Sequence, residues 1–384
     1  MTAGTKKYGS TWRIRWDAGI KPDGTRRQLS QAGFKTKKEA DAALREHQDE
    51  VERGMDLDAR KITVEDYLAQ WLDSKKSIRA STRRAYESHI RVYLVPHIGK
   101  LPLRSLRADH LDAMYAAIQR PESSRTPSIA TVRRIHATLR AALNGAFKRR
   151  LLPFNPANQI ELAPEPKAER SVWNFAQVDA FLTLAKEDRL GAAYHLLATT
   201  GMRRGEACGL SWSDIGLDAG TVTIRRQLTQ SGKALEFGDP KTKRGARTIH
   251  LDAETVGVLR SHRAAQAVER LAYAGAYAGQ DLVFCREDGS PVSPEVVSRR
   301  FINLSTRAGL PRIVLHGLRH SYATNALESG EELVMVSKRL GHAQSYFTAD
   351  SYMRLPEMAD RASAERMATR VREAGQLRAA AKAP

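Results

Sequence analysis

Arginine, lysine, histidine and tyrosine occur in the C-terminal half of this 384-residue chain in an order suited to moving a phosphodiester bond. Arg203 stands in Thr200-Gly-Met-Arg203-Arg204-Gly-Glu206, after an apolar helical stretch, with Glu206 three residues on to orient it. Asp239-Pro-Lys241-Thr-Lys243-Arg244-Gly places Lys241 at the expected tip of a β-hairpin. His316 and Arg319 are three apart, on one face if helical. His342 follows in Leu340-Gly-His342, and Tyr352 lies ten residues beyond it. In such a set tyrosine attacks phosphorus, arginines fork onto the non-bridging oxygens, and lysine or histidine manages protons. The tyrosine hydroxyl titrates near ~10, so guanidinium groups favour both the attacking phenolate and the charged transition state. No metal or other cofactor is expected, because arginine and lysine supply the charge that metals supply elsewhere. His316 and His320 are four apart with no Glu or Asp between them, so a zincin-type site is not indicated.

Elements must carry these side chains to one place. Helices are predicted near Ala176–Ala185 and over the apolar stretch Ala192–Thr200, just before Arg203. Thr221–Arg226 and Arg247–Leu251 alternate as strands with a polar hairpin between them. Further helices are predicted at Ala253–Tyr273, Pro294–Ala308, Leu318–Ser329 and Leu333–Leu340. Upstream, Pro153, Pro156, Pro164 and Pro166 crowd an extended linker, because proline lacks an amide donor and turns its predecessor away from helix.

Residues 62–160 read as all-helical. Thr63 with Asp66 opens one helix with Tyr67, Leu68, Trp71 and Leu72 on one face. A second runs from Ser81 or Thr82 through Tyr86, Ile90 and Tyr93 to a break at Pro96, a third from Leu106 to Ile118. The fourth, Ser128–Leu151, shows Arg133, Arg134, Arg140, Lys148 and Arg149 on its outer face. At the N-terminus, Trp12-Arg-Ile-Arg-Trp16 alternates as a strand, Lys21-Pro-Asp-Gly24 signals a turn, and Thr25–Gln31 can return. Thr36 and Glu39 then have capping-box spacing before a helix ending near Gly54.

Composition narrows the partners. The chain carries 62 Lys and Arg against 43 Asp and Glu, a net of +19, and residues 62–160 hold 17 basic against 7 acidic side chains. Such a face follows a phosphate backbone, which makes nucleic acid the expected partner. Two cysteines, Cys208 and Cys285, exclude a disulfide scaffold and fit a reducing cytosol. No apolar run is long enough to span a membrane, and the start has no apolar core of a secretory signal. A cytoplasmic location is therefore expected.

The motifs TGMRRGEACGL, PKTKRGARTIHL, HGLRHSYATNALESG and KRLGHAQSYFTADSYMRL together resemble those of the tyrosine recombinases, specifically the three-domain integrases of phages and integrative elements. The resemblance covers essentially the whole chain. It implies a multidomain, mainly α fold with small β-sheets: an N-terminal three-stranded sheet plus helix for arm-type DNA over 1–60, and a helical core-binding bundle over 62–158. After a linker at 159–170 come a mixed α+β catalytic domain over 171–370 and a tail at 371–384. The last two large domains are expected to clamp duplex DNA.

Position by position, Arg203 and Arg319 resemble the two clamp arginines, and Glu206 the acid that steadies the first. Lys241 matches the lysine that protonates the departing 5′-oxygen, His316 the histidine of the His-x-x-Arg pair and His342 a phosphate-bonding position. Tyr352 matches the nucleophile, with Asp350 two residues before it. Lys243 in place of Lys241, Arg204 beside Arg203 and the nearer Tyr346 remain open alternatives, and Lys243 and Arg244 join the basic helix as DNA contacts. The implied activity is site-specific integration or excision of a mobile element through a 3′-phosphotyrosine. The implied partners are double-stranded attachment sites, three further copies of the chain in a tetramer, an excisionase and a host DNA-bending protein. Type IB topoisomerase-like relaxation and non-catalytic DNA binding are the rival readings.

Overall fold

The computed structural model describes residues 4–20, 24–52, 62–120, 126–165, 171–232, 234–240, 245–341, 365, 367–369 and 372. The described chain is mainly helical with small antiparallel sheets, and divides into two compact units, Met1–Lys167 and Ala168–Pro384.

The first unit holds two separate cores. Strands β1 (Gly4–Tyr8), β2 (Thr11–Ile20) and β3 (Arg26–Phe34) form an antiparallel sheet in that order. The two-residue strand period sends Ile14 and Trp16 inward against Ala40 of α1 (Lys37–Glu52) and leaves Arg13 and Arg15 on the other face. Thr36 caps α1, its hydroxyl accepting the Glu39 N–H at 3.2 Å.

The helical part comprises α2 (Val64–Asp73), α3 (Ala80–His89), α4 (Val95–Ile98), α5 (Ala108–Ile118) and α6 (Ile129–Lys148). Thr63 and Asp66 form the anticipated capping box, the Asp66 N–H donating to the Thr63 hydroxyl at 3.1 Å. The chain does not break at Pro96. Ile90–Leu94 widens into a π-helical turn, the Val95 N–H reaches back to the Ile90 carbonyl, and Pro96 enters the next turn, where a missing amide costs nothing. The face of α6 bearing Ile135, Leu139, Ala142 and Leu143 is buried, and the Tyr67 hydroxyl donates to the Ala142 carbonyl at 2.7 Å.

The second unit begins with α7 (Phe175–Ala185), α8 (Gly191–Thr200) and α9 (Arg204–Cys208). Strands β4 (Ile215–Gly216), β5 (Thr221–Ile224) and β8 (Arg247–His250) form one sheet, and β6 (Gln227–Ser231) with β7 (Ala234–Gly238) another. Helices α10 (Ala253–Tyr273), α11 (Pro294–Arg307), α12 (Leu315–Glu328) and α13 (Leu333–Leu340) follow. The hairpin differs from expectation. β6 returns as β7 around Gly232, whose φ of +65° suits glycine, so position 241 falls in the connection from β7 to β8 rather than at the hairpin tip.

An aromatic cluster of Trp173, Phe181, Tyr194 and Phe301 centres this unit, with ring centroids 5.0 to 6.0 Å apart. Trp173 also stitches the segment leading into α7 to α12: its N–H donates to the Ser321 hydroxyl at 2.8 Å and its carbonyl accepts from Asn325 at 3.2 Å. Trp173→Ala should therefore destabilise this unit by about 3–5 kcal/mol, read as a lowered urea midpoint.

Candidate active site

Helix α8 stops at Gly201, whose φ of +64° reverses the chain into Arg203. A side chain there would also collide with Tyr322 and Leu340, since a Cβ would lie 2.5 Å from Tyr322 Cδ1. Arg203 takes extended backbone geometry as the residue before α9. Its N–H donates to Glu206 Oε2 at 2.9 Å and its Nη1 to Glu206 Oε1 at 2.7 Å. Arg204 turns elsewhere, bonding the Ser298 hydroxyl at 2.5 Å, which separates the two adjacent arginines geometrically.

Glu206 is fully buried. A second guanidinium meets it from β8: Arg247 Nη2 lies 3.0 Å from Oε2, and Nη1 lies 3.3 Å from Oε1. Each carboxylate oxygen thus receives one bond from Arg203 and one from Arg247. Burial by itself pushes this carboxyl up. The charge and hydrogen bonds of Arg247, followed by the N–H and charge of Arg203, outweigh it and hold the group below the ordinary carboxylate value.

Arg319, on α12, is 3 % exposed. Its Nη1 donates to the Gly201 carbonyl at 2.7 Å and its Nη2 to the Leu340 carbonyl at 2.8 Å. Helix α13 then ends at Gly341, with φ of +67°, and the Gly341 carbonyl lies 3.5 Å from Arg203 Nη2. One residue earlier than Leu340, the Arg339 carbonyl accepts from Arg247 Nε at 2.5 Å. Three consecutive carbonyls at the end of α13, those of Arg339, Leu340 and Gly341, therefore face Arg247, Arg319 and Arg203 in turn. Such carbonyls have no partner within their own helix and carry the negative end of its dipole, so guanidinium groups suit them.

His316 is exposed on the first turn of α12 and packs edge to face on His320, ring centroids 4.9 Å apart. The helix begins at Leu315 rather than Leu318, which puts His316 and Arg319 on one helical turn. The structure thus brings together Arg203, Glu206, Arg319 and the α13 end that leads to position 342. Lys241, Lys243, Arg244, His342, Tyr346 and Tyr352 lie outside the described residues.

Among the basic residues of α6, Arg134, Lys148 and the following Arg149 are exposed, as are Arg133 and Arg140. Arg133 donates to the Ala163 carbonyl at 3.1 Å and Arg140 to the Asn158 side chain at 2.8 Å, so both hold the segment after the helix. Arg247 escaped the sequence reading. In Arg247-Thr-Ile-His it alternates like any outward strand residue, and the one available signal was a second arginine inside a motif already rich in them.

Comparison with known proteins matches residues 4–51 to an Arm DNA-binding domain, residues 63–116 to the N-terminal SAM-like domain of phage integrase, and residues 173–357 to the Phage integrase family. A protein of Caldanaerobacter subterraneus subsp. tengcongensis described as "Tyrosine recombinase XerC-like" is 28% identical over 340 residues, spanning 83% of this chain and 86% of that one. The ICEBs1 integrase of Bacillus subtilis is 25% identical over 339 residues, spanning 85% and 89%. Among solved structures, the Tn1549 transposon integrase in complex with transposon right end DNA aligns with a TM-score of 0.68 at 19% identity, over 80% of this chain and 100% of that one. A lambda integrase dimer bound to a COC' core site gives 0.56 at 18% identity, over 91% and 94%. These likenesses to solved structures establish the fold.

The depressed Glu206 carboxyl has a consequence for stability against pH. A group whose folded value lies below its ordinary one, here 4.5, contributes stability that is complete above that value and disappears as pH falls through the folded value. Urea unfolding of the wild-type chain and of Glu206→Gln between about pH 3 and pH 7 reads this directly. The wild-type advantage should be largest near neutrality and shrink at the acid end. An advantage independent of pH would remove the ionised carboxylate from the account.

Proposed function

Because the chain belongs to the phage integrase family of tyrosine recombinases, we propose that it integrates and excises a phage or other mobile element at attachment sites. It is a DNA strand-cleaving and rejoining enzyme, which sets aside the reading as a non-catalytic regulator.

In the proposed reaction Tyr352 gives up its hydroxyl proton to solvent, and its Oη attacks the scissile phosphorus, forming a P–O bond as the bond to the 5′-oxygen breaks. The product is a 3′-phosphotyrosine, and Lys241 gives the departing 5′-oxygen its proton. A free 5′-hydroxyl of the partner strand reverses the step, so bond energy is conserved. Arg203 and Arg319 hold the non-bridging oxygens, with His316 and His342 completing the hydrogen-bonding shell. The observation that carries this reading is the convergence of Arg203 and Arg319 on the carbonyls of Gly341 and Leu340, directly before position 342. Backbone carbonyls bear only partial charges, so these bonds orient guanidinium groups without neutralising them.

Double-stranded DNA is the proposed partner throughout. The Arm DNA-binding match supports a second kind of DNA site contacted by residues 4–51, while Arg134, Lys148 and Arg149 on the helical bundle suit phosphates of the core site. The lambda integrase is seen as a dimer on a core site and as a tetramer bound to a Holliday junction, which supports a tetrameric working form here. An excisionase and a host DNA-bending protein complete the proposed assembly, and a bacterial cytoplasm is its proposed location. None of the described helices is long and apolar enough to cross a membrane.

The test is a nicked suicide duplex made from the element's own attachment site, resolved on a denaturing gel. Wild type should form a covalent protein–DNA adduct that Tyr352→Phe lacks and Arg203→Ala reduces by at least about 100-fold, with DNA affinity kept within about tenfold. An adduct that survives Tyr352→Phe would transfer the nucleophile to Tyr346. Separately, Arg134→Ala and Lys148→Ala should weaken binding similarly on any sequence and lower the salt slope of log K by about one each. A loss confined to one sequence would make them base readers.

A further inference from the structure

We infer that Arg247 is a positioning residue for strand cleavage: by holding Glu206 it keeps the charge of Arg203 available to the scissile phosphate. The inference rests on the active-site reading proposed above and adds a residue to it.

Arg247 opens β8, where pairing with Ile224 of β5 fixes its backbone. Its side chain is 7 % exposed, and its guanidinium makes four bonds. Two go to Glu206, one to the Gly245 carbonyl at 3.0 Å and one to the Arg339 carbonyl at 2.5 Å. It therefore joins three stretches that each lead to a proposed catalytic side chain. Glu206 leads to Arg203, Gly245 ends the connection that contains position 241, and Arg339 stands three residues before position 342.

Charge counting gives this a mechanistic meaning. One carboxylate lies between two guanidinium groups, so the cluster has a surplus positive charge. Arg203 commits Nη1 to Glu206, whereas among the described residues its Nη2 makes the 3.5 Å approach to the Gly341 carbonyl, a bond long enough to give up for a phosphate oxygen. Without Arg247 a fully buried carboxylate would have Arg203 as its remaining guanidinium partner. A buried ion pair of net zero charge holds its members tightly and offers little to an incoming dianionic transition state. The proton and bond changes at phosphorus are the same with or without Arg247, which touches no reacting atom.

The experiment uses full-length chain and the nicked attachment-site duplex, comparing wild type, Arg247→Met, Arg247→Lys and the double variant Glu206→Gln/Arg247→Met. Single-turnover adduct formation, DNA affinity and thermal midpoint are measured for each. Arg247→Met should slow adduct formation by about 100-fold while affinity stays within about threefold. Arg247→Lys restores charge without the planar fork and should remain at least about tenfold slow. The double variant should regain about tenfold over Arg247→Met, because a neutral amide no longer captures Arg203. A purely structural role would leave the double variant as slow as the single one or slower.

Wild-type rates in Arg247→Met, or no recovery in the double variant, would overturn the inference. Should Arg247→Met fail to fold, wild-type rates in Arg247→Lys would do so. Those outcomes leave the proposed function standing. A wild-type chain that forms no adduct overturns that function itself, and this inference with it.

Discussion

A carboxylate with no exposed surface stays ionised only where cations and N–H groups replace its water. Glu206 meets that condition with four N–H donors, two from Arg203 and two from Arg247. Removing either cation halves those donors and leaves one guanidinium to balance the carboxylate. Much of the second unit's local geometry follows from that demand. The turn at Gly201 must deliver Arg203, β8 must begin where Arg247 can reach across, and the two elements cannot drift apart without stranding the charge between them. The carboxylate makes no proposed contact with DNA, yet it sets where one guanidinium that does must stand.

The same economy appears at the helix ends. An α-helix leaves its last carbonyls unsatisfied, and water ordinarily serves them. At the end of α13 arginine side chains take that role, and Arg319 bridges the Leu340 carbonyl to the Gly201 carbonyl at the end of α8. Two left-handed glycines make this possible. Each lets its helix terminate abruptly, so that carbonyls face inward rather than along a fraying last turn. At Gly201 the steric demand is doubled, since both the positive φ and the contact with Tyr322 exclude a side chain. Helix termination and orientation of the arginines are one event in this fold.

Much of this architecture was legible in the residues, and what was not has identifiable causes. Capping pairs such as Thr63 with Asp66 declare themselves locally, because donor and acceptor are three residues apart. Alternation in Trp12–Trp16 and helical periodicity in α6 need only a neighbourhood to read. Pro96 misled because the rule that proline ends a helix assumes regular α geometry, and one π turn moves the missing amide to a place where none is needed. The hairpin misled because β6 and β7 lie between the two strands that were recognised, so the lysine-bearing stretch belongs to the following connection. Arg203, Glu206 and Arg319 stood out by motif, whereas Arg247 acts on a partner 41 residues away. No local pattern encodes a contact of that span. The family resemblance supplied roles for Lys241, His342 and Tyr352, and those roles stand as proposals.

Counting positive charge treats all arginines alike, and here they divide by what their planar forks are doing. Arg133 and Arg140 lie on the outer face of α6, yet their N–H groups hold the Ala163 carbonyl and the Asn158 side chain. In the second unit Arg189 pairs with Glu269 and Arg300 with Asp188. An arginine bonded to a neutral carbonyl or amide keeps its full charge and adds to the field that draws DNA in, although its fork is occupied. One paired with a carboxylate adds little to either. Bidentate recognition of a guanine edge requires an uncommitted fork. On α6 the basic side chains thus divide between Arg133 and Arg140, which hold the following segment, and exposed ones such as Arg134 and Lys148. Net charge and the use of each planar fork are separate properties of these arginines, because the main chain itself accepts from several of them.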